Sequence, residues 1–194
     1  DDSITEYLPE FNNLKVMKKE DGNVKDVEKI IKYPTIKDLF LHTAGFSYNF
    51  LADPVGKEYD HLKLFNSDTT TLAEEIKILA KAPLLFQPNT SWRYSVSMDV
   101  LARIVEVVRD DSLQNILQQN IFNRLNMTDT GFSVSLENQN RVMQSYEFDP
   151  LKMKLTKLIS DPQKIGNYGY PLNISSYARG CLLYTSDAAD ESSS

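Results

Sequence analysis

The side chains with the most chemistry to offer are few, and they are unevenly placed. His42 falls in His42-Thr43-Ala44-Gly45 and His61 in a polar stretch, while the single tryptophan opens Trp92-Arg93-Tyr94-Ser95. The single cysteine, Cys181, excludes an internal disulfide, and two histidines do not make a Cys/His zinc cage, so no metal and no cofactor is expected. The chain contains no Gly-x-Ser-x-Gly, no P-loop, no His-Glu-x-x-His and no Ser-x-x-Lys. Fold and composition alone stop at a mostly helical domain with no self-contained catalytic signature. Ten tyrosines are present, and Tyr94 sits where a turn-rich segment becomes a helix. Its neighbour Ser95 reads more simply as a helix cap than as a nucleophile, and His42 as a satisfied structural histidine near a helix end. His61 reads as solvated in a polar loop, and Trp92 either lines a pocket or packs.

These residues must be held by the elements around them. Ser3 to Tyr7 reads as a short helical turn closed by Pro9. Leu14–Lys18, the Asp21-Gly22 turn and the stretch from Val24 read as a hairpin, with Lys15, Lys18, Lys19, Lys25, Lys29 and Lys32 on its solvated faces. Thr35 can cap a helix whose first turn holds Asp38, with Ile36, Leu39 and Phe40 as its apolar face and Gly45 as its stop. Residues 46–68 read as a polar, aromatic loop. Thr71 and Glu74 form a capping-box pattern for a helix that ends before Pro83. The segment 84–89 then approaches Trp92, and Val96, Val100, Leu101, Ile104, Val105 and Val108 recur at helical spacing. Ser112 opens a further helix with Leu113, Ile116, Leu117, Ile121 and Leu125 as its stripe, ended by Asn126 in a left-handed turn. Residues 146–150 and 154–156 read as strand, turn, strand.

Three phrases in this framework carry a resemblance. Ile36-Lys-Asp-Leu-Phe-Leu-His42-Thr43-Ala44-Gly45-Phe46 resembles the "dLLxHTSGl" signature of the serine β-lactamase-related family, which includes class C β-lactamases, penicillin-binding proteins and related esterases. Phe86-Gln-Pro88-Asn89-Thr90-Ser91-Trp92-Arg93-Tyr94-Ser95-Val96 is similar to the family's "F.PGt.W.YSn" segment. Ile121-Phe-Asn-Arg-Leu-Asn-Met127-Thr-Asp129-Thr130-Gly-Phe132 is similar to "if.PLGM.dTgf", and Tyr7-Leu8-Pro9 fits the "kYlPe" ahead of them. The four lie in order and in register across residues 1 to 150. Asn89 and Asn126 stand where the family pattern has glycines, and asparagine also accepts positive φ.

The resemblance implies an α+β fold of the β-lactamase/transpeptidase type, with this chain covering mostly its helical lobe. It implies an acyl-enzyme mechanism on small-molecule esters, amides or lactams. A Ser-x-x-Lys segment supplies the nucleophile, a tyrosine (Tyr94 here) moves its proton, and a Lys-Thr-Gly or His-x-Gly strand completes an oxyanion hole. Trp92 and Val96 are the implied substrate-binding residues. Val96 replaces the asparagine of the class C Tyr-x-Asn triplet, which favours an esterase over a β-lactamase or D-amino-acid peptidase. A non-catalytic member used as a binding scaffold is the remaining alternative. With no Ser-x-x-Lys, the chain as it stands is expected to hydrolyse nothing.

Residues 1–180 are expected to be an internal part of a β-lactamase-related domain. The string from Cys181 to Glu191 resembles a translated sequencing-library adapter, so 181–194 reads as an artefactual tail. The whole chain has 21 basic and 27 acidic residues, a net charge of −6. Without Asp187, Asp190 and Glu191 of the tail, the net charge becomes −3. Either balance argues against nucleic acid as a partner. With 41% apolar and 25% charged residues the composition is that of a globular protein. No apolar run reaches the ~18 residues of a membrane helix, and Asp1–Phe11 has neither the basic start nor the apolar core of a signal peptide.

Overall fold

A computed structural model describes residues 1–64, 71–132, 136–141, 146–157, 164–165, 170–171 and 183–184. The chain opens with two 3-10 turns, Ile4–Glu6 and Pro9–Asn13. Ser3 and Glu6 close a capping box on the first, and Pro9 takes the first position of the second. The hairpin follows as expected: β1 (Lys15–Met17) pairs antiparallel with β2 (Val27–Lys29), and all six hairpin lysines are exposed. The free edge of β1 is taken by Leu84, which donates to Lys15 O at 2.8 Å and accepts from Met17 N at 2.9 Å. Gln87 adds a second tie, its amide donating to Glu28 Oε1 at 2.8 Å and to Lys29 O at 3.1 Å.

Among the described residues five α-helices follow this ladder. Thr35 and Asp38 form the capping box that starts α1 (Ile36–Phe40). The helix ends earlier than Gly45, because His42 already has φ 55°. Phe40 does not join its apolar face; Leu39 is fully buried, Ile36 is half-buried and Phe40 is exposed. The stretch read as a loop contains a helix, α2 (Pro54–His61), started by the Asp53 side chain and by Pro54 at its first position. His61 therefore lies, exposed, in a last helical turn rather than a loop. The loop reading of residues 65–68 lies outside the described residues.

Thr71 and Glu74 cap α3 (Leu72–Leu79), which ends well before Pro83. The strongly amphipathic α4 (Ser97–Arg109) buries Val100 and Ile104, with Leu101 and Val105 partly buried against the same core. Val108, expected on that stripe, is instead exposed. Ser112 caps α5 (Leu113–Leu117), which runs into a π-helical turn at Gln118–Phe122. That wide turn shifts the register by one residue. Phe122 is consequently buried, while Ile121 and Leu125 of the expected stripe are exposed. Asn126 takes φ 55°, the left-handed stop expected of it. Helices α1 and α3 both pack on α4, and one continuous core runs from Ile4 and Phe11 through Leu39, Phe46, Tyr59 and Leu84 to Val100 and Ile104.

Beyond the helices, β3 (Thr130–Gly131) pairs antiparallel with Leu183–Tyr184, and the expected hairpin is present as β4 (Tyr146–Asp149) and β5 (Lys154–Lys157). Residues 181–182, Cys181 among them, and 185–194 lie outside the described residues.

Candidate active site

Two loops carry the candidate residues, and their backbones are laced together. Leu85 donates to Gly45 O at 2.7 Å, Asn89 to Thr43 O at 2.8 Å, Arg93 to His42 O at 3.0 Å and Val96 to Ser47 O at 3.1 Å. Two local features allow so close a fit. Gly45 has φ 90°, and a Cβ there would lie 2.5 Å from Phe86 O, so no larger residue fits. Asn89 has φ 65°, the left-handed geometry expected of a residue replacing glycine. The residues 43–47 are thereby fixed against the 85–96 segment, which leads directly into α4.

Tyr94 emerges from this seam with half its surface exposed, and Trp92 is more exposed still. Rings flank Tyr94 on two sides. His42 lies with its ring centroid 5.1 Å away and Tyr48 at 5.3 Å. Tyr48 stacks in turn on exposed Phe50 at 4.7 Å, and Trp92 stands edge-on to His42 at 6.4 Å. The result is a partly exposed aromatic ribbon with Tyr94 within it. The hydroxyl of Tyr48 donates to Asp99 Oδ2 of α4 at 3.4 Å.

Beneath the ribbon lies a small polar network. His42 Nδ1 and Ser95 Oγ share a hydrogen bond at 3.2 Å, and Ser95 Oγ shares another with Ser97 Oγ at 2.8 Å. Burial alone lowers the His42 pKa, which favours the neutral imidazole. His42 is thus hydrogen-bonded next to a helix end, as its sequence context implied. Ser95 departs from expectation. It is buried and does not cap α4, whose N-cap is Val96 with no side-chain bond. Its hydroxyl is spent on His42 and Ser97.

Val96 is fully buried. Its side chain belongs to the core, and its backbone N–H anchors the seam to Ser47. Sequence reasoning brought out Tyr94 and Trp92 but missed Tyr48 and Phe50. The density of aromatics in Phe46-Ser47-Tyr48-Asn49-Phe50 was the available signal. Also unexpected is Arg93 Nε, buried with no hydrogen-bond partner among the described residues. Among the described residues, no cluster of three His, Cys, Asp or Glu side chains could hold a metal, and no helix is long and apolar enough to cross a membrane.

A partly exposed tyrosine at the start of a buried amphipathic helix, locked to a His-Thr-x-Gly turn, defines the helical lobe of an α+β fold of the β-lactamase/transpeptidase type. Comparison with known proteins gives the family. A model described as beta-lactamase matches residues 1–169, and the chain belongs to the β-lactamase family. It is 30% identical over 170 residues to esterase EstB of Burkholderia gladioli, covering 86% of this chain and 40% of that protein. The unliganded simvastatin synthase LovD from Aspergillus terreus superposes with a TM-score of 0.65 at 26% identity, over 81% of this chain and 39% of that one. EstCE1, described as a hydrolase with promiscuous acyltransferase activity, shares the fold with a TM-score of 0.67 at 23% identity, over 93% of this chain and 46% of that one. The chain spans 36–40% of the length of the first curated relatives it matches.

Proposed function

We propose that residues 1–180 are the tyrosine-bearing part of a serine hydrolase that acts on small-molecule esters by an acyl-enzyme route. The observation that carries the reading is Tyr94, held partly exposed by backbone hydrogen bonds from two loops and set in an aromatic ribbon. Similarity to an esterase of Burkholderia gladioli supports ester chemistry. In this reading a serine oxygen from a Ser-x-x-Lys segment bonds to the ester carbon. Tyr94 takes the hydroxyl proton and passes it to the leaving alkoxide as the ester C–O bond breaks. Water then reverses the proton path to release the acid. Trp92 supplies a flat apolar wall for the substrate. Val96, fully buried in the core, offers no amide to a lactam side chain.

The experiment has two arms. The 194-residue chain, which contains no Ser-x-x-Lys, is expected to show no turnover of p-nitrophenyl acetate and no fluorophosphonate labelling. A longer version of the protein that includes a Ser-x-x-Lys segment is expected to label, and its Tyr94→Phe variant to acylate at least a hundredfold more slowly, within the usual range for a lost general base. Serine-dependent turnover by the 194-residue chain would overturn the first statement. Acylation at the unchanged rate in Tyr94→Phe would remove Tyr94 from the mechanism.

A further inference from the structure

His42 makes three different contacts with one short run of chain. Its carbonyl accepts from Arg93 N at 3.0 Å, its ring packs 5.1 Å from the Tyr94 ring, and its Nδ1 shares a hydrogen bond with Ser95 Oγ at 3.2 Å. Residues 93, 94 and 95 are thus each held by a different part of one residue. The Ser95 hydroxyl is itself fixed by Ser97 Oγ, in the first turn of α4, so the imidazole is tied to the helix as well as to the loop.

The backbone of His42 is also unusual. Its φ of 55° lies in the left-handed region, which glycine enters freely and which asparagine, aspartate and histidine enter more often than other residues. Such conformations persist where the surroundings over-determine them, and they gather at functional sites. If this position served only to turn the chain, asparagine or glycine would turn it with less strain. What histidine adds is a flat ring against Tyr94 together with a nitrogen for Ser95. Its partial burial favours the uncharged ring, which keeps an acceptor nitrogen available at neutral pH.

We infer that His42 is a positioning residue for Tyr94: its ring and Nδ1 together fix where the Tyr94 phenol points, and it does not itself touch the substrate. The inference rests on the reading of Tyr94 as the proton carrier only for its kinetic consequence, since the placement of the phenol can be measured without catalysis.

Three variants separate the contacts. His42→Gly keeps the left-handed backbone and removes both side-chain contacts. His42→Asn keeps the backbone and a polar atom near Ser95 but removes the ring. Ser95→Ala keeps the ring and removes its hydrogen-bond partner. The probe is 3-fluorotyrosine incorporated into the 194-residue chain. The Tyr94 fluorine resonance is assigned by its loss in Tyr94→Phe, and that of fully buried Tyr59 reports the intact core. In His42→Gly the Tyr94 resonance is expected to move toward the position of a free, solvated tyrosine while that of Tyr59 stays in place. His42→Asn and Ser95→Ala are expected to move it part of the way. An unmoved Tyr94 resonance in His42→Gly, with that of Tyr59 intact, overturns the inference. Should His42→Gly lose the Tyr59 resonance, His42→Asn decides in the same way.

The kinetic arm uses the longer protein with Ser-x-x-Lys and p-nitrophenyl acetate. There His42→Gly is expected to lower kcat by roughly ten- to a hundredfold with KM unchanged, as misplacement of a catalytic group does, and His42→Asn to recover part of the loss. A raised KM at unchanged kcat would overturn the positioning role. If Tyr94→Phe itself leaves acylation unchanged, the proton-carrier reading fails while the fluorine measurement still judges His42.

Discussion

Gly56→Ala pits two effects of opposite sign against each other. The residue lies in the first turn of α2, where its N–H donates to Asp53 Oδ1 at 2.8 Å. Helix propensity alone says that alanine should stabilise this position by about 1 kcal/mol. The packing says otherwise. A Cβ on Gly56 would sit 2.5 Å from Leu51 O and closer still to Tyr48 O. Both obstacles are backbone carbonyls, which cannot swing aside as the end of a long side chain can. Relieving them means moving residues 48–51 away from α2, at a cost of about 2–4 kcal/mol by comparison with overpacked cores. The net expectation is a loss of about 1–3 kcal/mol, or roughly 2–12 °C in Tm at the 2–4 °C per kcal/mol typical of this chain length. Urea unfolding followed by circular dichroism measures it, and Trp92 fluorescence reports the site in the same titration. Tyr48 is part of the obstacle and also packs 5.3 Å from Tyr94, so the Trp92 emission of the folded variant is expected to shift as well. Equal or greater stability in Gly56→Ala would refute the argument, showing that the 48–51 loop gives way at no cost.

Gly45→Ala is expected to be worse still, because a Cβ 2.5 Å from Phe86 O adds to a φ of 90° that alanine tolerates poorly; a loss of about 3–5 kcal/mol in urea unfolding is the expected outcome. Asp53→Ala removes the cap of α2 and the acceptor of Ser47 Oγ at 2.6 Å. Loss of a cap and of a buried hydroxyl's partner together should cost about 2–4 kcal/mol, again by urea titration. Stability is also expected to depend on pH through His42, whose pKa is lowered by burial. The unfolded chain then binds the proton more readily than the folded one. The contribution is complete above the ordinary histidine value of 6.5 and is lost as pH falls through and below it. A His42→Asn variant should lack that slope between pH 7 and 5, whereas His61→Gln, at an exposed position, should keep it.

Features decided within four residues were legible. The helical turn opened at Ser3, the cap at Thr35 and the capping box at Thr71 follow from side-chain-to-backbone bonds that a short stretch makes with itself, and the turn at Gly22 and the left-handed stop at Asn126 from local backbone preference. Helix α2 was missed by giving weight to the polarity of residues 46–68, although Asp53-Pro54 is itself a start signal. The stripe of α5 failed for a different reason. A periodicity of 3.6 assumes an unbroken helix, and the π turn at Gln118–Phe122 turns Phe122 inward where Ile121 was expected. Val108 was a simpler overreach, an apolar residue in the last turn of α4 that the core does not reach.

The site was legible only in its parts. Tyr94 and Trp92 could be picked out because residues 86–96 resemble the family's tyrosine-bearing segment, but the partner that organises them lies fifty-three residues from Ser95 in sequence. Nothing in either loop alone announces the seam, because it is made of backbone hydrogen bonds that any residue type can form. Side-chain identity therefore matters unevenly along it. At Thr43 and Asn89 the seam uses only main-chain atoms, but Asn89 needs positive φ and Thr43 does not. Replacement of Thr43 costs the site its hydroxyl's bond to Asp38 Oδ1 and leaves the 2.8 Å bond to Asn89 N available. Replacement of His42, Gly45 or Asn89 by a β-branched residue would force the chain out of the left-handed region. Those three positions, more than the exposed rings they support, determine whether Tyr94 is presented at all.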